Sequence, residues 1–416
     1  MMKNVFEQAL GIKEPWFIDR FSFDVEKRRL DIHIDFPAGT RFEYVSEEEG
    51  VDGRYPVHDT KEKTWRHLNF FQHECYLHCR VPRVKLDDGR IRQITPPWSG
   101  RSLGFTLLFE ALLMQLCREM PVNAVSRLTD VDDNKIWRML DVYVSEARKS
   151  EDFSEVTRLG VDETSRRRNH DYITLFVDLE SHKSIFVTEG KDNRTIKDFV
   201  QDLETHNGAA GNITDVSCDM SPAFIKGVAE NLPNAKITFD KFHIMKVIND
   251  ALSDVRKAEA KENKLLVGTK NIFDKNRVNM TEKQLKYLQN KLEIKGLRLK
   301  TVRAFHIRES FQEIYKAESK EDFVDQLSKW YSWARRCRLE PMKEAAKTIK
   351  AHWDGVVQWY DSRINNGVLE GLNSLIQSAK SKARGFKTLR NFKIIIYLVT
   401  GDLDFTKVNS HYKALT

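Results

Sequence analysis

Three carboxylates stand where divalent-metal chemistry could be built: Asp162 in TRLGVDETSRRR, Asp219 in DVSCDMSPAF and Glu370 in NNGVLEGLNSLIQ. The first two each close a β-branched or apolar run, and the third opens an amphipathic helix far downstream. Hard cations such as Mg²⁺ take oxygen ligands, and carboxylates converging from separate elements can hold two of them. Two such ions, roughly 3.5–4 Å apart, clamp the attacking and leaving oxygens of a phosphodiester in line. Strand-Asp, strand-Asp, helix-Glu on a basic chain points to polynucleotidyl transfer by two Mg²⁺, with Mn²⁺ able to substitute. No Ser or Tyr nucleophile is needed.

Other acids compete for the role. Glu163 adjoins Asp162, but side chains alternate along a continuing strand and would turn it to the opposite face. Asp178 follows a second strand. Asp240, in FDKFHIMK, suits helix capping and leaves His243 near the rim, either buried or facing nucleic acid. A first-turn glutamate such as Glu370 also suits the helix macrodipole with no chemistry at all. Helical spacing separates the two readings: Leu369, Leu372 and Ile376 make an apolar face, while Glu370, Asn373, Gln377 and Lys380 share a polar one. Lys382, Arg384, Lys387, Arg390 and Lys393 follow, interleaved with Phe386 and Phe392. With Arg166, Arg167 and Arg168, this run is suited to backbone phosphates, read by charge and not by sequence.

Strands at TRLGVD, YITLFVDL and KSIFVTE, a helix over 195–206, a strand at ITDVSCD, a helix from Ser221-Pro222, a strand at AKITF and a helix from Phe242 position the two aspartates. Each aspartate then ends a strand, where open α/β sheets bind ligands. Three strands followed by αβαβα is the order of an RNase H-like core, expected over 156–251 and 361–405. Residues 252–360 carry no strand signal and read as a helical insertion. Upstream, FTLLFEALLMQLCREM, PVNAVSRLTD and DNKIWRMLDVYVSEARK have helical period, with Pro121 placed for N1 and Asp130 to Asp133 for a turn and cap. This 101–150 segment is either a helix-turn-helix or a plain three-helix unit. Lys135 and Arg138 near the start of its third helix suit contact with DNA.

Residues 1–100 alternate as strands. Hairpin turns are expected at EKRR and DDGR, Pro37 and Pro56 fall between strand runs, and Pro82 marks an edge strand or a break. The chain has 416 residues, 41% hydrophobic and 31% charged, which describes a folded protein of several domains. An excess of 68 basic over 61 acidic residues is compatible with a polyanionic partner. Five cysteines spread along the chain make no disulfide framework. No signal-like or spanning apolar run occurs, so a cytoplasmic, nucleoid-associated location without membrane contact is expected.

Together VDETSRRRNHDY, CDMSPAFIKGV, FDKFHIMKVIND and RINNGVLEGLNSLIQSAKSKARGFKTLRNFK resemble the blocks of the ISL-three family of insertion-sequence transposases. WRHLNFF, PPWSGRSLGFTLLFEAL and IWRMLDVYV carry the resemblance through nearly the whole chain. It implies a DDE core with Asp162, Asp219 and Glu370 as the metal-binding triad. It also implies an N-terminal part that binds the terminal inverted repeats of double-stranded DNA, in a bacterium, with a homodimer handling two ends. Family members carry cysteine pairs there that read as a zinc ribbon. Here those positions read DFPAGTRF and VKLDDGRIR, and His73, Cys75, His78 and Cys79 close a four-ligand site poorly, so zinc is not expected. The alternatives are a nuclease of the same fold, which cuts without joining, and an inactive, transposase-derived DNA-binding protein.

Overall fold

Period-two alternation makes a sheet of the first hundred residues. The computed structural model describes residues 2–102, 104–167, 171–293, 298–364 and 367–415. Close contacts divide the chain into one unit of residues 1–151 with 376–416 and another of residues 152–375.

In the first unit, helix α1 (Met2–Leu10) precedes β1 (Phe17–Asp24), β2 (Arg29–Asp35), β3 (Arg41–Ser46), β4 (Val51–Phe70), β5 (His73–Lys85) and β6 (Ile91–Gln93). The sheet order is β1-β2-β5-β4-β3, with β6 on β5. Leu30, Ile32 and Ile34 of β2 and Cys75, Leu77 and Cys79 of β5 face one core with Trp16, Trp65 and Trp98. The hairpin at DDGR forms: Leu86 N–H donates to Arg90 O at 2.8 Å, and Gly89 takes φ +88°, a conformation glycine adopts without strain. The expected roles of two prolines are corrected. Pro56 lies inside β4, opposite Arg41, at the position where that strand passes from pairing with β3 to pairing with β5. Pro82 lies inside β5, opposite Thr60, and β5 is not an edge strand. On its other side β2 pairs only as far as Cys79 and β6 begins at Arg83, so the missing N–H falls in the gap between two ladders.

Three helices follow: α2 (Leu107–Glu119), α3 (Val122–Thr129) and α4 (Asp133–Lys149). Pro121 is the N-cap of α3, one residue before N1, Asp130 ends that helix at φ +51°, and Asp132 caps α4 by accepting from Asn134 N–H. Glu110 is fully buried but satisfied: it accepts from the N–H groups of Arg101 and Ser102 and from the Tyr143 hydroxyl at 2.7–2.8 Å. Asn409 donates to Tyr143 Oη and to Leu107 O, tying the C-terminal segment to these helices.

The second unit holds β7 (Arg158–Arg167), β8 (Asp171–Asp178), β9 (Lys183–Glu189), α5 (Arg194–Thr205), β10 (Asp215–Cys218), α6 (Pro222–Asn231), β11 (Lys236–Phe239) and α7 (Lys241–Ala260). Its sheet has the order β11-β10-β7-β8-β9, with β7, β8 and β9 antiparallel and β10 and β11 parallel to β7. Helices α8 (Lys270–Phe273), α9 (Glu282–Tyr287), α10 (Lys300–Ile314), α11 (Lys320–Arg336), α12 (Glu340–Ala351) and α13 (Trp353–Ser362) come next. Helix α14 (Gly367–Lys382) runs on into the first unit, where α15 (Leu389–Thr400) packs on α4.

Helix α7 runs through residue 252, where the helical insertion was expected to begin. Helix α7 continues to Ala260, and its stripe of Ile244, Ile248, Ala251, Leu252 and Val255 is buried where α10 and α12 pack on it. One hydrophobic cluster therefore runs from Leu159 and Val216 in the sheet to Phe311, Trp330 and Ile349 in the helices. Helix α13 lies close on β11. A Cβ built on Gly355 would sit 2.4 Å from the Phe239 ring and 3.2 Å from Ile237 O. Gly355→Ala should lower the free energy of unfolding by about 1–3 kcal/mol in urea melts, although alanine is the better helix former. An unchanged midpoint would mean that α13 is not seated this closely.

Candidate active site

Asp162 and Asp219 become neighbours through strand register. Asp215, Val216 and Ser217 of β10 pair in parallel with Arg158, Leu159 and Gly160 of β7. Asp219 lies two places beyond Ser217, as Asp162 lies two beyond Gly160, and paired strands run about 4.8 Å apart. Asp219 directly follows the last residue of β10, as expected. Asp162, however, does not end its strand: β7 continues to Arg167, and Asp162 pairs with Leu175 of β8. The sequence conceals this because the β7–β8 ladder outruns the short β10.

Backbone and helix groups fix both carboxylates. Asp219 Oδ1 accepts from Ser221 N–H at 2.9 Å, at the entrance to α6. Asp162 Oδ1 accepts from Glu163 N–H at 2.8 Å, and its Oδ2 accepts from the Asn373 side-chain amide of α14. Gly160 admits that helix, since a Cβ there would lie 3.0 Å from both Leu369 methyl carbons. Asn373 Oδ1 is buried with no hydrogen-bond partner, an acceptor left unsatisfied beside Asp162. Glu370 lies one turn before Asn373 on the same face and is exposed. Its expected turn signal, Asn365-Asn366, lies outside the described residues.

Burial pushes the Asp162 carboxyl above its ordinary range. The Glu163 N–H and His243 act the other way, and the charges of Asp240 and Asp219 add to the rise. Burial and then Asp219 also raise Glu163, which Lys191 partly counters. The strand does continue past Glu163, yet the charge of Asp219 reaches it from beyond the pleat. Asp240 caps α7 by accepting from Phe242 N–H at 2.8 Å and holds His243 Nδ1 at 3.2 Å. The Asp240 carboxylate, more than any other influence, raises the His243 pKa, and Asp162 and Asp219 add to the effect. Asp178 instead closes the turn after β8 through the N–H groups of Glu180 and Ser181.

Two of the three expected ligands are thus brought together and the third is not. Among the described residues, no three His, Cys, Asp or Glu side chains gather closely enough to hold a metal ion. Two carboxylates and the orphaned amide oxygen of Asn373 are nonetheless hard donors of the kind Mg²⁺ takes, so the donor chemistry fits. The Asp240–His243 pair was legible only as a cap, because its proximity to Asp162 depends on sheet order.

The expected phosphate contacts fare unevenly. Lys135 and Arg138 are exposed on α4, opposite the buried Ile136, Met139 and Leu140. Arg384 and Lys387 are exposed in the turn after α14, and Lys382 Nζ reaches Glu119 O at 3.5 Å. Lys380 is half-buried and bonds Gln377 at 3.4 Å. Arg390 forms an ion pair with Asp141 of α4, which sequence separation concealed. Phe386 stacks on Phe392 at 5.1 Å and meets Trp137 edge-on, so these aromatics pack the fold and are not a surface for bases. Arg166 is half-buried and engaged. The Arg167 side chain and the whole of Arg168 lie outside the described residues.

In β5, Cys75 and Cys79 point into the core, and burial pushes both thiols up to about 12. His78 lies on the opposite face, bonding Asp31 at 2.5 Å. All five cysteines are free and buried. Among the described residues, no helix is long and apolar enough to cross a membrane.

The field of Asp219 yields a stability test. Because the folded-state pKa values of Asp162 and Glu163 are raised, the folded state holds protons more tightly, and stability falls as pH rises through them. Asp219→Asn retains an acceptor for Ser221 N–H but removes the repelling charge. In chelator, thermal melts should show it on the order of 1 kcal/mol more stable near pH 8, with the difference vanishing below about pH 4. A variant less stable than wild type at pH 8 would contradict the repulsion.

A family described as "Transposase" matches residues 159–396, more than half of the chain. The "Helix-turn-helix domain of transposase family ISL3" matches residues 94–144, which settles the three-helix segment as a helix-turn-helix. The "zinc-finger of transposase IS204/IS1001/IS1096/IS1165" matches residues 50–85, against the expectation that zinc has no place here. The transposase for insertion sequence element IS1557 of Mycobacterium tuberculosis is 24% identical over 356 residues, 78% of this chain and 79% of that protein. The transposase for insertion sequence element IS1001 of Bordetella parapertussis is 23% identical over 404 residues, 94% of this chain and 97% of that protein. With a DDE transposase match over its α/β part and a helix-turn-helix before it, the chain is an enzyme acting on DNA and belongs to the ISL3 family of transposases.

Proposed function

We propose that this transposase binds the terminal inverted repeats of an insertion sequence and cuts and joins strands in an RNase H-like core whose triad is Asp162, Asp219 and Glu370. The observation that carries the reading is the side-by-side placement of Asp162 and Asp219 on β7 and β10, with Asn373 of α14 bonded to Asp162. The sheet order β11-β10-β7-β8-β9 supports the RNase H-like assignment. Residues 156–251 and 361–405 form the core in this reading, and the helices between them are its insertion. The two relatives named for insertion sequence elements support the choice of substrate.

Asp162, Asp219 and Glu370 would hold two Mg²⁺ ions, which when bound supply an activated water and charge stabilisation for the phosphodiester. The chain's own groups prepare that site. Glu163 N–H and the Asn373 amide orient Asp162, and Ser221 N–H orients Asp219. Asp240 lies 3.2 Å from His243 Nδ1 and raises its pKa, beside the acids. Lys135, Arg138 and the exposed members of the Lys380–Arg390 run would take backbone phosphates, and two subunits would pair two ends. For the 50–85 segment, the buried thiols of Cys75 and Cys79 support a strand framework held by apolar packing and not by zinc. The exposure of Glu370 favours the second reading, a DNA-binding protein that has lost cutting.

Cleavage of a labelled duplex carrying the repeat that flanks the gene decides between them. The first reading predicts Mg²⁺-dependent cutting at the repeat boundary that falls at least about 100-fold in Glu370→Gln, with end binding retained. Binding without cutting by the wild type would establish the second. For the helix-turn-helix, Lys135→Ala with Arg138→Ala should lower the slope of log K against log salt by about 2. An unchanged slope would remove α4 from the DNA interface.

A further inference from the structure

The helices between α7 and α14 contain a basic cleft that the catalytic reading does not use. It has a volume of 590 Å³ and is lined by Arg303 of α10, by Lys329, Ser332, Trp333 and Arg336 of α11, and by Arg338 in the turn that follows. Lys329, Ser332, Trp333 and Arg336 stand at i, i+3, i+4 and i+7, so they form one stripe of α11. The buried Trp330 indole holds that helix against α10 by donating to Ile307 O at 2.8 Å. The stripe therefore lies on a packed support.

Charge and exposure set this cleft apart. Its lining holds four cations, Arg303, Lys329, Arg336 and Arg338, with Ile307 and Cys337 and no acidic residue. Lys329 has a partner outside the lining, Asp325. Among the described residues, Arg303, Arg336 and Arg338 form no ion pair, whereas Lys343 and Lys347 of the adjoining α12 each have a glutamate. Arg336 bonds the carbonyl and hydroxyl of Ser332, which fixes its guanidinium over the stripe. Trp333 is 44% exposed and, among the described residues, has no ring partner. The neighbouring tryptophans are all paired: Trp330 with Phe311, Trp353 with Tyr331 and Trp359 with Tyr315.

Trp333 therefore stands in water beside guanidinium groups that, among the described residues, have no carboxylate partner. Cations spaced along a groove follow a phosphodiester backbone, and an unpartnered indole offers a face to a base that is not itself paired. A duplex hides its base faces, so the tryptophan distinguishes a single strand from a double one. We infer that the Arg303–Trp333–Arg338 cleft binds a single-stranded stretch of DNA, with the arginines on phosphates and Trp333 stacked on a base. This is a second nucleic-acid site, distinct from the helix-turn-helix and from Asp162 and Asp219. It is independent of whether Glu370 completes a metal site.

The test uses the full chain in chelator, so neither cutting nor a repeat sequence enters. Anisotropy of a labelled oligothymidylate of about fifteen nucleotides should show binding, weakened about tenfold by Trp333→Ala and little changed by Trp333→Phe. Arg303→Gln with Arg338→Gln should weaken it further and flatten its salt dependence by a slope of about 1.4. Duplex affinity should stay the same in all three variants, and DNA-induced quenching of indole emission should be smaller in Trp333→Phe. The inference is overturned if Trp333→Ala leaves oligothymidylate binding unchanged, or if it weakens duplex and single strand equally. Because exposed side chains are replaced, superimposable melting curves will separate lost binding from lost folding.

Discussion

Two carboxylates set side by side on adjacent parallel strands repel each other, and much of the second unit serves to hold them there. The register of β7 and β10 fixes the spacing, and burial raises the Asp162 pKa. The opposing influences are local: the Glu163 and Ser221 N–H groups, the Asn373 amide and the imidazole of His243. None neutralises the pair, and the charge of Asp219 still adds to the rise of the Asp162 and Glu163 pKa values. Unrelieved repulsion of this kind is common where a site must be ready for charge that arrives later.

The helices after β11 belong to the same frame. Helix α7 begins at the Asp240 cap beside the acids and runs to Ala260 under α10 and α12. Lys241, the next residue, sits 4.2 Å from the Tyr315 ring, which meets Trp359 edge-on. Desolvation lowers its pKa, and the aromatic faces receive its charge. The site's rim and the helical region are therefore one packed body, and the acids inherit their rigidity from a core much larger than the sheet.

Local chemistry was readable in the sequence wherever a side chain acts on its own neighbourhood. The five strands and three helices of the α/β part follow from β-branched runs and from Ser221-Pro222 and Asp240 as helix starts. The placement of Asp219 after β10 was legible for the same reason. What escaped depends on partners distant in sequence. Pro56 and Pro82 look like breaks until the ladders on either side of them are known. Arg390 looks like a phosphate ligand until Asp141 is placed beside it. That Phe386 and Phe392, spaced through the basic run, stack on each other could not be read from their spacing. The α3–α4 segment could be named a helix-turn-helix only by family comparison, because amphipathic helices pack in trios for many purposes.

The central claim is that Asp162 and Asp219 form a cation site which Glu370 completes. Titration of Mn²⁺ into chelator-treated, DNA-bound protein, followed by electron paramagnetic resonance, measures this without requiring turnover. The account predicts bound Mn²⁺ in the wild type, loss of binding when Asp162 or Asp219 becomes alanine, and weaker binding in Glu370→Ala. Equal Mn²⁺ binding by the wild type and the Asp162 and Asp219 variants would contradict it.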